Sequence, residues 1–169
     1  MIRILTLVLA CFISSFIYAQ KDSAEMNAPY RKNPAIPAFD LLKTDSTTHI
    51  TKADINTKHK TLIMFFSPEC THCQHQTEDM IAAIDSLKDI QIIMATYQPF
   101  EEMVAFNQKY NLEKYSNIKL GRDVKYFFPP FYRMKSLPHL ALYNNKGNYI
   151  TSFEGNQKIA TILEAFDKH

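Results

Sequence analysis

The residues of this chain best suited to chemistry lie in Ser67-Pro68-Glu69-Cys70-Thr71-His72-Cys73. Two of the three cysteines are here, separated by Thr71 and His72. Thiols at this spacing can staple a fold, clasp a metal or exchange electrons. A staple across two residues gains little, because a disulfide stabilises mainly by restricting the unfolded chain and the gain grows with loop length. Structural zinc takes four ligands, commonly two CxxC pairs or one CxxC with a distant His pair. This chain has a single CxxC, and His72 and His75 stand close to it with no second cluster at a suitable spacing. A pair of thiolates can still hold Cu(I), with His139 as a candidate neighbour, so a copper carrier stays open as the alternative.

Redox exchange is the third use. Cys70 follows an apolar run, Thr61-Leu62-Ile63-Met64-Phe65-Phe66, and opens a helical pattern. At a helix start the first N–H groups lack intrahelical partners and the dipole adds partial positive charge. Both favour a thiolate at Cys70. Reactive CxxC thiols are acidified from about 8.5 into the range ~3.5–7. Cys73, one turn on, is in reach to close the bridge. Cys70 is therefore the expected nucleophile and Cys73 the resolving thiol. Thr71 and His72 are the expected redox-tuning residues, with His72 donating to the Cys70 sulfur and making the oxidised form easier to reduce.

The elements that must position this pair read as alternating strands and helices. Residues 38–43 and 47–51 suit a short hairpin about Thr44-Asp45-Ser46, and Thr51 can cap a brief turn. The run 61–66 has strand length and suits a strand covered on both faces. From Cys70 to Leu87 the period is helical, with Met80, Ile84 and Leu87 on one stripe. Residues 90–97 are strand-like. Residues 99–110 read as a helix with Pro99 at its start and Met103, Phe106 and Tyr110 on one face. After the strand-like residues 118–120 comes an irregular segment, Tyr126 to Tyr132, rich in aromatics and proline. Such clusters serve as core more often than as a partner-binding lip. Leu140 to Tyr143 and Tyr149 to Phe153 form a hairpin with Gly147 in its turn, and a last helix spans about 156–167. The strand–helix–strand unit 61–97 should be right-handed with parallel strands. The expected fold class is α/β, with a mixed central sheet and helices on both faces.

The N-terminus reads MIRILTLVLACFISSFIYA. Arg3, an apolar run to Ile17 and the small Ala19 before Gln20 have the layout of a secretory signal peptide over residues 1–19. The run is shorter than the roughly 20 residues of a spanning helix. A lipid-modified Cys11 is the weaker reading, because Leu9 fits poorly ahead of it and little chain precedes it. Cleavage after Ala19 removes Cys11 and leaves only the CxxC thiols, in a compartment where disulfides persist. Residues 20–32 are expected to be a linker and 33–169 the folded domain. The net charge of +2 and the lack of a Lys/Arg run give no case for nucleic acid.

With these motifs in place, the chain resembles the thioredoxin-like fold, in the exported TlpA/ResA-like thiol-disulfide oxidoreductase branch of the wider AhpC/TSA-redoxin superfamily. The likeness covers about residues 33–169. It is carried by Ile36-Pro37-Ala38-Phe39-Asp40-Leu41, by Lys60 to Cys73, by Leu137-Pro138-His139-Leu140 with Asn145-Lys146-Gly147, and by Phe153-Glu154-Gly155. It implies a cis Pro138 against the CxxC and a Leu137 backbone that pairs with the substrate. It also implies disulfide- or thiol-containing envelope proteins as partners, an upstream membrane thiol donor, a monomeric protein, no cofactor, and a periplasmic or envelope location. The chain departs from the pattern in places. Phe66 replaces a frequent Trp, Met64 a buried acid of thioredoxin proper, and Gln76 a Glu of some relatives. Only Glu78 or a His is left as a candidate proton acceptor. His139 either touches the sulfurs or points to solvent. A peroxidase of the peroxiredoxin type would want Thr where Ser67 stands, and an Arg beside the reactive Cys.

Overall fold

The computed structural model describes residues 27–168. The expected signal peptide, Cys11 and the first part of the expected linker lie outside the described residues. The seven strands are β1 (Asp40–Leu42), β2 (His49–Thr51), β3 (Lys60–Phe65), β4 (Ile90–Thr96), β5 (Ile118–Arg122), β6 (His139–Tyr143) and β7 (Tyr149–Glu154). They form one sheet in the order β2-β1-β5-β4-β3-β6-β7. Strands β3, β4 and β5 run parallel, and β6, β7, β1 and β2 join antiparallel to their neighbours. The sheet is mixed, as the sequence pattern requires.

Five α-helices accompany it among the described residues: α1 (Pro29–Lys32), α2 (Thr71–Ala82), α3 (Phe100–Tyr110), α4 (Phe128–Tyr132) and α5 (Ile159–Asp167). Alternation along β3 sends its side chains to opposite faces. Leu62 and Met64 pack with Met80, Met103, Phe106, Ile162 and Phe166, so α2, α3 and α5 cover that face. Ile63 and Phe65 pack with Tyr30, Phe39, Phe128 and Tyr132, so α1 and α4 cover the other. A fully buried Leu, Met or Phe side chain stabilises by roughly 1.5–3 kcal/mol. A strand that is apolar on both faces therefore centres the fold.

Three boundaries differ from the sequence reading. The long helix from Cys70 breaks at Ala83 and continues as a 3-10 turn, Ile84–Leu87, which keeps Leu87 in the core. The segment 126–132, expected to be irregular, holds α4. Buried Asp123 accepts the Phe127 and Phe128 N–H groups at 2.9 Å each, and Pro129 pre-sets the first turn. The expected linker ends in α1, with Ala28 and Tyr30 buried, so packing begins ahead of residue 33. Its Tyr30 ring lies 5.1 Å from Tyr149 and 5.9 Å from Tyr132.

Two glycines have steric reasons. A Cβ on Gly121 would come 2.7 Å from the Leu41 Cβ, where β5 meets β1. Gly147 takes φ +73° in the β6–β7 turn, a conformation that other L-residues rarely hold.

Candidate active site

Strand β3 ends at Phe65, and five residues later the chain enters α2 with Cys70 as its N-cap. The Cys70 sulfur accepts the Cys73 N–H at 3.4 Å. One of the unpaired amides of the helix start is thus aimed at a sulfur. Cys70 is partly exposed, Cys73 is fully buried, and both are free thiols. The pair is asymmetric: one thiol can be reached and the other is sealed beneath it. Burial, followed by the Cys70 sulfur, pushes the Cys73 thiol far above its ordinary range. The cause is the loss of water around the charged form.

The loop before β6 closes over this pair. Leu137–Pro138 is a cis peptide, as the resemblance implies, and the Leu137 carbonyl oxygen lies 3.9 Å from Cys70 Sγ. Pro138 is buried and Leu137 half-buried. Pro138 stands just ahead of β6, where its missing N–H costs the sheet nothing. No backbone hydrogen bond engages the amide or carbonyl of Leu137 among the described residues. Cys70, Cys73, Leu137 and Pro138 therefore come together. Thr71 and His72 are both exposed on the first turn of α2.

The candidate proton acceptors are placed elsewhere. Gln76 is buried and bridges to the loop before α5: its Oε1 accepts the Gln157 N–H at 2.6 Å and its Nε2 donates to the Gln157 carbonyl at 3.2 Å. Glu78 is exposed and accepts from the Tyr110 hydroxyl at 3.2 Å. Of the two placements expected for His139, neither holds. It is the first residue of β6 and shares a face with Ala141 and Tyr143, against Phe65 and Tyr132, while Leu140 packs on the Cys73 side. Strand alternation alone turns it away from the sulfurs. It is 3% exposed, and neither ring nitrogen has a hydrogen-bond partner among the described residues. Burial pushes its pKa down from 6.5 to about 4, against a weaker upward pull from Glu154. The copper alternative thus loses its candidate histidine. Among the described residues no group of three or more His, Cys, Asp or Glu side chains is arranged to hold a metal.

The aromatic segment divides. Phe128 and Tyr132 are core, and the Tyr132 hydroxyl meets that of Tyr143 at 2.6 Å. Tyr126 is 52% exposed and packs edge-on against Tyr97, 39% exposed, at 5.1 Å. With Phe65, Pro129, Met134 and Leu137 these rings line a cleft of about 140 Å3 beside the thiol site. A larger cleft of about 470 Å3, flanked by Lys43, Asp45, His49 and Glu113, contains none of the cysteine-site residues. Sequence reasoning missed Tyr97, because a lone Tyr after a strand carries no signal. It also missed Glu154, which meets the loop before Pro138 only through the β6–β7 register.

No family model matches the chain, and no curated protein matches it by sequence. Solved structures do. A candidate thioredoxin from Neisseria meningitidis aligns with a TM-score of 0.65 at 20% identity, over 80% of this chain and 88% of that one. A candidate thiol:disulfide interchange protein, DsbE, from Chlorobium tepidum gives 0.65 at 20% identity, over 78% and 95%. A secreted disulfide oxidoreductase from Mycobacterium tuberculosis gives 0.64 at 15% identity, over 78% and 96%. At such identities the likeness speaks for architecture: this chain has the thioredoxin-like fold.

Proposed function

We propose that this chain is an exported thiol-disulfide oxidoreductase that acts on disulfides or thiols of envelope proteins through Cys70 and Cys73. One observation carries the reading. A reachable Cys70 sulfur accepts an amide at the start of α2, directly above a sealed Cys73. Negative charge on the outer sulfur is met by that N–H and by the helix dipole. Negative charge on the inner sulfur is opposed by burial. Such a pair suits sequential roles. The three similar structures described above are a candidate thioredoxin, a candidate thiol:disulfide interchange protein and a disulfide oxidoreductase, which agrees with this chemistry.

In the reducing direction, the Cys70 thiolate attacks one sulfur of a partner disulfide. That S–S bond breaks, and the partner's other sulfur leaves as a thiolate. Cys73 then loses its proton to the departing thiolate and attacks the Cys70 sulfur, which frees the second partner sulfur. Two electrons have passed to the partner, now a dithiol, and Cys70–Cys73 has become a disulfide. The reverse sequence oxidises a partner dithiol. The Leu137 amide and carbonyl carry no backbone hydrogen bond among the described residues, the carbonyl meeting the Cys70 sulfur at 3.9 Å, and so suit strand-like pairing with an extended partner segment. The exposed Tyr97 and Tyr126 rings offer it an apolar lip. The signal-like residues 1–19 support export, and an upstream membrane thiol donor would keep such an enzyme reduced.

The test is equilibration of the reduced protein with glutathione buffers of stepped ratio, followed by mass measurement. A two-electron transition with an intramolecular Cys70–Cys73 bond is expected. Thiols that stay reduced across the series, or that form only glutathione adducts, would contradict the proposal.

A further inference from the structure

The loop that carries Leu137 is held from outside its own strand. Lys135 donates its backbone N–H to Glu154 Oε1 at 2.8 Å, and Ser136 donates its hydroxyl to Glu154 Oε2 at 3.4 Å. One carboxylate thus holds two consecutive residues just ahead of Leu137. The next residue of its own chain adds a third tie, as the Gly155 N–H donates to the Pro138 carbonyl at 2.8 Å. Glu154 ends β7 and is the register partner of His139. Among the described residues a further polar neighbour, His139 Nδ1, lies 3.9 Å away, beyond hydrogen-bond reach. The carboxylate is therefore directed at the loop. Met134, Lys135, Ser136 and Leu137 also form one wall of the aromatic cleft, so the same anchor sets the shape of that wall.

We infer that Glu154 is a positioning residue for polypeptide partners. It fixes residues 135–137 so that the Leu137 amide and carbonyl stay without backbone partners, aligned and next to Cys70. This inference rests on the exchange reading and names the residue that holds its binding edge: disulfides set in an extended peptide segment need the anchored loop, whereas small disulfides need only Cys70. Glu154 touches neither sulfur in the structure. Its effect is therefore confined to substrates that pair with the chain edge. A hydrogen bond to a charged acceptor contributes about tenfold or more in an equilibrium constant.

The experiment compares wild type, Glu154→Ala and Glu154→Gln in the reduced state, each first checked for folding by thermal melting. Two oxidants are used: a peptide with an internal disulfide, and 5,5′-dithiobis(2-nitrobenzoate), which offers no backbone. For Glu154→Ala, the single-turnover rate constant for oxidation by the peptide should fall about tenfold, mainly through a higher half-saturating peptide concentration, with that for the small disulfide changed by less than about twofold. Glu154→Gln keeps an acceptor for the Lys135 N–H and should recover most of the loss. An equal loss on both oxidants, or no loss on the peptide, overturns the inference. Should wild type react with neither oxidant, it is the exchange reading that fails. Amide hydrogen exchange then still decides the anchoring: Lys135 should be protected in wild type and released in Glu154→Ala, and a Lys135 amide that exchanges freely in wild type overturns it.

Discussion

Replacement of His139 by leucine should make the fold more resistant to acid. The imidazole is 3% exposed, with no hydrogen bond to either nitrogen among the described residues. Around it stand the Tyr132 ring at 5.1 Å and the Glu154 carboxylate at 3.9 Å. Burial lowers its pKa from 6.5 to about 4. Between these values the unfolded chain binds a proton that the folded chain does not. Stability through this group is therefore intact above about pH 6.5, declines as pH falls, and reaches its full loss below pH 4. At 1.36 kcal/mol per pH unit the loss is about 3 kcal/mol, a large part of the ~5–15 kcal/mol that holds a domain folded. Leucine has no proton to take up and no unpartnered nitrogen to bury. Urea unfolding of wild type and His139→Leu at several pH values between about 7 and 4 reads the difference directly. The variant should retain about 3 kcal/mol more of its neutral-pH stability at the acid end. Parallel loss in the two proteins would refute the burial argument.

Two further substitutions separate the roles of the residues near the thiols. Gln76→Glu removes the donor to the Gln157 carbonyl and sets a buried carboxylate against that oxygen. Its melting midpoint should drop, with a destabilisation of about 1–3 kcal/mol at neutral pH; an unchanged midpoint would mean that the bridge contributes nothing. His72→Ala tests the redox-tuning role expected for that exposed residue. The glutathione equilibrium should shift about tenfold toward the disulfide form, or roughly 30 mV more reducing. A midpoint equal to that of wild type would reduce His72 to a surface residue.

Where one physical signal dominates, the sequence sufficed. The continuous apolar run that becomes β3 has one solution, a strand covered on both faces. The CxxC at a strand-to-helix junction put Cys70 at a cap and Cys73 one turn inward. Thr51 capped its 3-10 turn through reciprocal bonds with Asp54, a local pattern written in four residues. What escaped depends on contacts between distant segments. The helix α4 is started by Asp123, a residue with no capping spacing to the aromatics until Tyr126 takes φ 52° and turns the chain. His139 went unplaced because the sequence pattern starts the strand at Leu140, one residue late, so the alternation that sets its face was not extended to it. Glu154 was visible only as part of a strand-ending motif, since its bonds to Lys135 and Ser136 cross about a dozen and a half positions of chain. The early packing of Tyr30 was missed for the same reason: its partners Tyr132 and Tyr149 lie at the other end of the sequence.

The central claim is that Cys70 makes the first bond to a partner and that Cys73 breaks it. Cys73→Ser removes the resolving thiol and leaves Cys70 at the cap of α2. Incubated with a peptide disulfide and analysed by mass spectrometry after digestion, this variant should accumulate a stable mixed disulfide mapped to Cys70, while wild type under the same conditions releases the reduced peptide and carries the Cys70–Cys73 bond. A Cys73→Ser protein that forms no adduct, or an adduct that forms equally well on Cys73 in a Cys70→Ser protein, would contradict the account.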